Sequence, residues 1–175
     1  MKVFSIIGVS LSGKTTAVEV LTTELRRRKY RVGTVKDIHF EGFAMDVEGS
    51  NTYRHRMAGA QLVIARGLYE TDILYQRRLS LKEILEFYDH DFVILEGSYD
   101  FWGPGIITAH TEKEIDERRR DLIFAVTGKI ADQITEYRGL PVINSLTETK
   151  RLADLVEACV PEWAGQKEWM EQDDT

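Results

Sequence analysis

Cysteine is nearly absent. Cys159 stands alone among 175 residues, in a helical pattern with apolar neighbours. One cysteine excludes an internal disulfide framework and any zinc site built from thiolates. The expected home is therefore a reducing cytoplasm. A basic excess is also missing. There are 23 Lys and Arg against 29 Asp and Glu, a formal charge of −6, so no nucleic-acid partner is expected. No apolar run approaches the roughly 20 residues that span a bilayer, and no membrane partner is expected either. The apolar start, Met1–Val9, runs into a glycine-containing loop and not into a small-residue cleavage site, so it does not read as a signal peptide. No repeat with a period of about 20–50 residues is visible.

What remains is 43% hydrophobic, enough for one globular domain with a real core. The division expected is a domain over 1–160 and a polar, acidic tail over 161–175, on which Trp163 and Trp169 could dock. Val3–Val9 is a short β-rich run of the kind buried on both faces in a parallel sheet. Thr15–Arg28 follows with Val18, Leu21 and Leu25 at i, i+3 and i+7, a helical spacing. Arg31–Lys36 reads as a second strand, Asp37–Asn51 as a polar loop, and Thr52–Ala60 as a short helix. Leu62–Ala65 and Asp72–Gln76 are further strand candidates. Ser80–Glu83 has the spacing of a capping box and starts a helix to about Tyr88. Phe92–Leu95, Ile106–Ala109, Leu122–Val126 and Pro141–Asn144 read as strands. A charged helical segment lies around Glu112–Arg119, and an amphipathic helix covers Thr147–Val160. This alternation predicts an α/β fold, three layers α/β/α around a mostly parallel sheet.

The chemistry concentrates at Gly8–Thr15, G-V-S-L-S-G-K-T, between the first strand and the first helix. This is the phosphate-loop pattern of P-loop NTPases. Gly8 and Gly13 permit a tight turn and close backbone approach, and the helix N-terminus adds partial positive charge. Lys14 is placed to reach the β- and γ-phosphates, and Thr15 to offer its hydroxyl to Mg²⁺. Ser10, Ser12 and Thr16 are further donors.

Such a loop needs a carboxylate at the end of a neighbouring strand. Asp91–Gly97, D-F-V-I-L-E-G, offers Glu96 at the carboxyl end of an apolar strand, where open α/β sheets bind ligands. Asp91, at the opposite end, is set aside. Lys36 ends the second strand on the same edge as Glu96, with Asp37, His39 and Asp46 following. That is the expected place for a loop that senses a γ-phosphate. Lys36 is a candidate second cation, and Asp37 or Asp46 a candidate for metal-bound or attacking water. His39 is carried with them.

Arg54 and His55 in Thr52–Arg56 are candidates for an anionic second ligand. Glu117–Asp121 reads as a solvated charge run that nothing in the sequence ties to the site. Lys129 and Asp132 follow a strand, and offer a lysine stem to stack on a purine and a carboxylate for guanine N1 and N2. Asn144 at the next strand end is a second candidate. Guanine over adenine is a lean, since the usual Asn-Lys-x-Asp spacing is absent.

Taken together, the motifs resemble the MobB family of molybdopterin-guanine dinucleotide biosynthesis proteins. The residues that carry the resemblance are Gly8–Thr16, R-R-R-K-Y-R-V-G-T-V-K at Arg26–Lys36, the Asp46…Gly49 spacing, T-Y-R-H-R-M-A-G-A at Thr52–Ala60, and Asp91–Gly97. It runs from about residue 1 to about 158. The resemblance implies a SIMIBI-type P-loop fold, a homodimer, and GTP and Mg²⁺ binding with weak GTPase activity. It also implies a role beside the guanylyltransferase that attaches GMP to molybdopterin. Carried over by position are Lys14, Thr15, Lys36, His39, Asp46, Arg54, His55 and Glu96. Asp37 stands where many members have His, Asn51 where Asp is usual, and Tyr99–His110 departs from the usual continuation after Glu-Gly. Two other readings stay open from the residues: an ATP-dependent kinase or ligase of the dethiobiotin-synthetase type, and a non-hydrolysing, nucleotide-gated adaptor.

Overall fold

The computed structural model describes residues 1–165 and Trp169. They divide into two compact units, one formed by Met1–Asp37 with the chain from Tyr88 onward, the other by Ile38–Phe87.

In chain order the first unit contains β1 (Lys2–Gly8), α1 (Lys14–Arg27) and β2 (Val32–Lys36). The second unit contributes α2 (Asn51–Met57), β3 (Leu62–Arg66), β4 (Thr71–Tyr75) and α3 (Leu81–Leu85). The first unit resumes with β5 (Phe92–Glu96), β6 (Gly105–Thr108), α4 (Glu112–Asp116) and β7 (Ile123–Thr127). A 3₁₀ turn at Lys129–Asp132, the two-residue strands β8 (Glu136–Tyr137) and β9 (Leu140–Pro141), and α5 (Thr149–Cys159) follow.

The first unit is built on a five-stranded sheet of order β2-β5-β1-β6-β7, parallel at every pairing. Alternation along the strands divides its core in two. Phe4, Ile6, Phe92, Ile94, Ile106 and Ala125 meet Leu21 and Leu25 of α1 and Leu152 and Val156 of α5 on one side. Ile7, Ile107, Ile123 and Val126 meet Ile115 of α4 and Ile130 of the 3₁₀ turn. Full burial of each of the Phe, Ile, Leu and Val side chains contributes about 1.5–3 kcal/mol. Helix α1 is clamped to α5 by Arg28, which donates to Glu157 Oε2 at 2.8 Å and lies 2.7 Å from Asp154 Oδ1.

The predicted strand over Pro141–Asn144 is shorter than expected. Leu140–Pro141 pairs antiparallel with β8, and Val142 makes a single parallel bridge to Val126. Proline has no N–H to donate to a longer ladder. Trp163 and Trp169 both pack on Phe101, with ring centroids at 6.5 and 6.0 Å. The remainder of the tail expected over 161–175, residues 166–168 and 170–175, lies outside the described residues.

In the second unit β3 and β4 form an antiparallel hairpin separate from the main sheet. Both its strands were legible, but their partners were not, because a short apolar run does not say which strand it pairs with. The predicted capping box is present: Glu83 N–H donates to Ser80 Oγ, and Ser80 N–H to Glu83 Oε2.

Among the described residues, no helix is long and apolar enough to cross a membrane.

Candidate functional site

The carboxyl ends of β1, β5 and β6 lie side by side, since Ile6 pairs with Glu96 and Gly8 with Thr108. The Gly8–Thr15 loop leaves the sheet there. Gly8 passes so close to β6 that a Cβ would stand 2.2 Å from Thr108 O. Ser12 is fully buried beneath the loop. Its hydroxyl donates to Val9 O at 2.8 Å, and 2.6 Å separates it from Thr108 Oγ1. Gly13 caps α1 in the left-handed region, at φ +108, without a side-chain capping bond. The first-turn N–H groups of α1 therefore keep their partial positive charge directed out of the helix end. Ser10 is exposed and Thr16 half-buried at the mouth of this turn.

Lys14 folds back over the loop, donating to Gly8 O at 2.9 Å and Val9 O at 2.7 Å. Burial holds its ammonium below the ordinary lysine value. Glu96 opposes the shift, while Lys36 and Arg118 add to it. A lysine with these cations around it is in a field that an anion would relieve.

Thr15 and Glu96 are brought together across the loop. The Thr15 hydroxyl donates to Glu96 Oε1 at 2.7 Å. The Lys36 ammonium donates to the same oxygen at 2.5 Å and lies 3.3 Å from Thr15 Oγ1. Glu96 is almost fully buried, so the ammonium compensates a charge that burial would otherwise penalise. A hydroxyl and a carboxylate are hard oxygen donors of the kind Mg²⁺ takes alongside water and phosphate. The described residues hold no cluster of three or more His, Cys, Asp or Glu placed to bind a metal, and a phosphate-bound Mg²⁺ does not need one.

A fourth strand end, that of β7, completes the edge. Gly128, at φ +92, lies so close to the loop that a Cβ would stand 2.4 Å from Ser12 O. The 3₁₀ turn carrying Lys129 and Asp132 starts from this contact. Both side chains are exposed. Asn144 Nδ2 donates to Asp132 Oδ1 at 2.8 Å, and Asn144 Oδ1 accepts from the N–H groups of Leu146 and Thr147. The two sequence candidates for reading a base are thus hydrogen-bonded to each other.

Asp37 follows Lys36, its N–H donating to Glu96 O at 2.9 Å. His39, Asp46, Arg54 and His55 lie in the second unit. His39, Arg54 and His55 are exposed. Asp46 accepts from Thr52 Oγ1 at 2.7 Å and Ser50 Oγ at 3.0 Å, and these bonds, Thr52 first, hold its carboxyl below the usual range. It ties down the N-terminus of α2, where Ser50 is the cap.

Three residues missed by the sequence reading also belong to the surroundings of the loop. Thr108 supports Ser12. The Tyr99 hydroxyl donates to Gly8 O at 2.8 Å. Arg118 adds its charge to the field on Lys14. Tyr99 carried a signal, three residues beyond a strand-end carboxylate. Arg118 carried none, since it looked like part of a solvated run.

The family model described as "Molybdopterin guanine dinucleotide synthesis protein B" matches residues 3–128. A Bacillus subtilis protein named "Probable molybdopterin-guanine dinucleotide biosynthesis adapter protein" is 23% identical over 147 residues, covering 82% of this chain and 85% of that one. A Haemophilus influenzae adapter protein named for the same pathway is 33% identical over 122 residues, with 64% and 68% covered. The crystal structure of Bacillus subtilis MobB superposes with a TM-score of 0.76 at 20% identity, covering 93% of this chain and all of that one.

Proposed function

Because the chain belongs to the molybdopterin-guanine dinucleotide synthesis protein B family, we propose that it is a Mg²⁺-dependent GTP-binding adapter with slow GTPase activity, serving the attachment of GMP to molybdopterin. Its relatives indicate the adapter role in that pathway. The nucleotide reading is carried by one observation: Thr15 Oγ1 and Glu96 Oε1 meet at 2.7 Å beside the uncapped end of α1.

In this reading the backbone N–H groups of Gly8–Thr15 and the end of α1 hold the phosphates. Lys14 exchanges its bonds to Gly8 O and Val9 O for phosphate oxygens. Thr15 and Glu96 would hold Mg²⁺, which would supply positive charge to the phosphates. Lys36 leaves Glu96 and turns its ammonium to the phosphates. Asp37, His39 and Asp46 are the candidates for orienting water, and Arg54 and His55 for an anionic second ligand. Lys129 stacks on the base, and Asp132 accepts from guanine N1 and N2. Turnover stays slow in this reading until a guanylyltransferase partner completes the positioning and electrostatics on which phosphoryl transfer depends. A homodimer is supported by the hairpin, where Leu62, Ile64, Ile73 and Tyr75 share one face by register and are all exposed. A cytoplasmic setting is the companion reading, resting on the single cysteine, Cys159.

Isothermal titration with GTP and with ATP at fixed Mg²⁺ tests the proposal. Selective GTP binding is expected. Absence of GTP binding, or preference for ATP, would sink it, and the latter would favour a small-molecule kinase or ligase.

A further inference from the structure

Beneath the Gly8–Thr15 loop lies a row of fully buried hydroxyls, those of Ser12, Thr108 and Thr127. Gly8 pairs with Thr108, and Thr108 with Thr127, across adjacent parallel strands. Residues paired in this way point to the same face of a sheet. Gly8 has no side chain, and a Cβ there would stand 2.2 Å from Thr108 Oγ1 and 2.9 Å from Ser12 Oγ. The space beside Gly8 is therefore filled by those two hydroxyls, with Thr127 one strand further on. The residue after Thr127, Gly128, is in turn packed against Ser12 O. We propose that Thr127 is a positioning residue for the phosphate loop, its hydroxyl joining that of Thr108 when a nucleoside triphosphate draws Lys14 away from Gly8 and Val9.

A hydroxyl has one proton to donate. Ser12 gives its own to Val9 O at 2.8 Å. The 2.6 Å contact between Ser12 Oγ and Thr108 Oγ1 is then a bond in which Thr108 donates, with Ile7 O at 3.3 Å as its longer alternative. The Thr108 oxygen keeps a lone pair, and the hydroxyl beside it in register is that of Thr127. Thr127 Oγ1 is buried without a hydrogen-bond partner among the described residues, although Thr127 O accepts from Ala109 N–H at 3.1 Å. The strand end is held while its hydroxyl is not. An unsatisfied buried hydroxyl costs stability, and valine has the same shape without it.

Val9 links this orphan to the state of the loop. Val9 O accepts from Lys14 Nζ at 2.7 Å as well as from Ser12. Once the ammonium turns to the phosphates, Ser12 is left to hold Val9 O. A bond from Thr127 to Thr108 then completes a chain from Thr127 through Thr108 and Ser12 to Val9 O, and hydrogen bonds in a chain polarise and strengthen one another. A change of staggered rotamer at Thr127 brings its hydroxyl to Thr108, so the strands need not move. The row stiffens the loop when a triphosphate occupies it. This role for Thr127 rests on the nucleotide reading but not on which base is bound.

Thr127→Val and Thr127→Ser in the full chain test it, by isothermal titration with GTP and with ATP at fixed Mg²⁺ and by melting without nucleotide. Thr127→Val should melt no lower than the parent, because it loses an unpartnered hydroxyl. It should bind the preferred triphosphate about tenfold more weakly. Thr127→Ser keeps the hydroxyl and should bind within about twofold of the parent. Thr108→Val removes the acceptor, so adding Thr127→Val to it should weaken binding no further. Thr127→Ala, read by affinity alone, replaces Thr127→Val if the latter does not fold. Four results would overturn the role of Thr127 and leave nucleotide binding standing: parent-like affinity in Thr127→Val, an equal loss in Thr127→Ser, an undiminished loss on the Thr108→Val background, or a lower melting temperature in nucleotide-free Thr127→Val. A parent that binds neither triphosphate would overturn the nucleotide reading, and this role with it.

Discussion

The Lys36 ammonium lies 2.5 Å from Glu96 Oε1, the same oxygen that accepts the Thr15 hydroxyl at 2.7 Å. One buried carboxylate oxygen therefore serves two donors from two other elements. In the nucleotide-binding reading, a divalent cation and this ammonium compete for Glu96. Replacing Lys36 by Met removes the competitor and also a cation for the phosphates. Free Mn²⁺, followed by electron paramagnetic resonance, should bind the variant more tightly than the parent. GTP affinity should fall about tenfold, roughly 1.4 kcal/mol. Mn²⁺ binding that is no tighter in Lys36→Met would show that the ammonium does not guard the carboxylate.

Gly128 tests how far the loop depends on the neighbouring strand end. A Cβ there would meet Ser12 O at 2.4 Å in addition to the strain of φ +92. Gly139 has a similar φ, +81, with nothing within 4 Å of a Cβ. Gly139→Ala should register the backbone strain alone, while Gly128→Ala adds the clash. The expected cost at Gly128 is about 2–3 kcal/mol, several degrees in Tm for a chain of this size. Equal melting temperatures for the two variants would mean that the contact with Ser12 is slack.

These two cases mark what was legible in the sequence. The strand–loop–helix at Gly8–Thr15 and the strand-end Glu96 follow from local pattern, because side-chain period and strand polarity fix which end of each strand faces the loop. Their shared oxygen with Lys36 does not, since it depends on β2 and β5 being sheet neighbours. Lys129 and Asp132 were read as a base-recognition stretch, yet the contact of the neighbouring Gly128 with Ser12 comes from the packing of β7's end under the loop. Arg118 was invisible for the same reason. Long-range juxtaposition has no local periodicity. The hairpin of β3 and β4 shows the converse, with strands identified and partners not.

Acid stability has a specific source in α1. Glu24 is 6% exposed, and its carboxyl is held at about 2, against an ordinary 4.5, first by the Arg27 hydrogen bond and then by Arg28. A depressed carboxyl stabilises the fold above its unfolded value, and that contribution is lost as pH falls through the folded one. The loss should therefore run from about pH 4.5 down to about 2. Glu24→Gln removes the titration. Its melting temperature should be lower than the parent's at neutral pH, and the gap should close on acidification through that window. A gap independent of pH would assign the effect to packing.

In the GTP-binding reading, specificity for the base turns on Asp132, whose Oδ1 accepts from Asn144 Nδ2 at 2.8 Å. The other carboxylate oxygen, together with the remaining lone pair of Oδ1, can accept from guanine N1 and N2, which adenine does not offer in that arrangement. Asn144 is itself fixed by the N–H groups of Leu146 and Thr147, so the carboxylate is held from behind by an ordered amide. Replacing Asp132 by Asn turns an acceptor pair into one acceptor and one donor. The donor faces a guanine N–H and is left unsatisfied, while xanthine, with an oxygen at that position, now matches. Selectivity for GTP over xanthosine triphosphate should invert, by at least about tenfold in the ratio of affinities, since sites built on hydrogen bonds discriminate strongly against the wrong complement. Competition titrations with the two nucleotides at fixed Mg²⁺ measure that ratio. If Asp132→Asn leaves it unchanged, the base is read elsewhere, and the Asn144–Asp132 bond only braces the 3₁₀ turn.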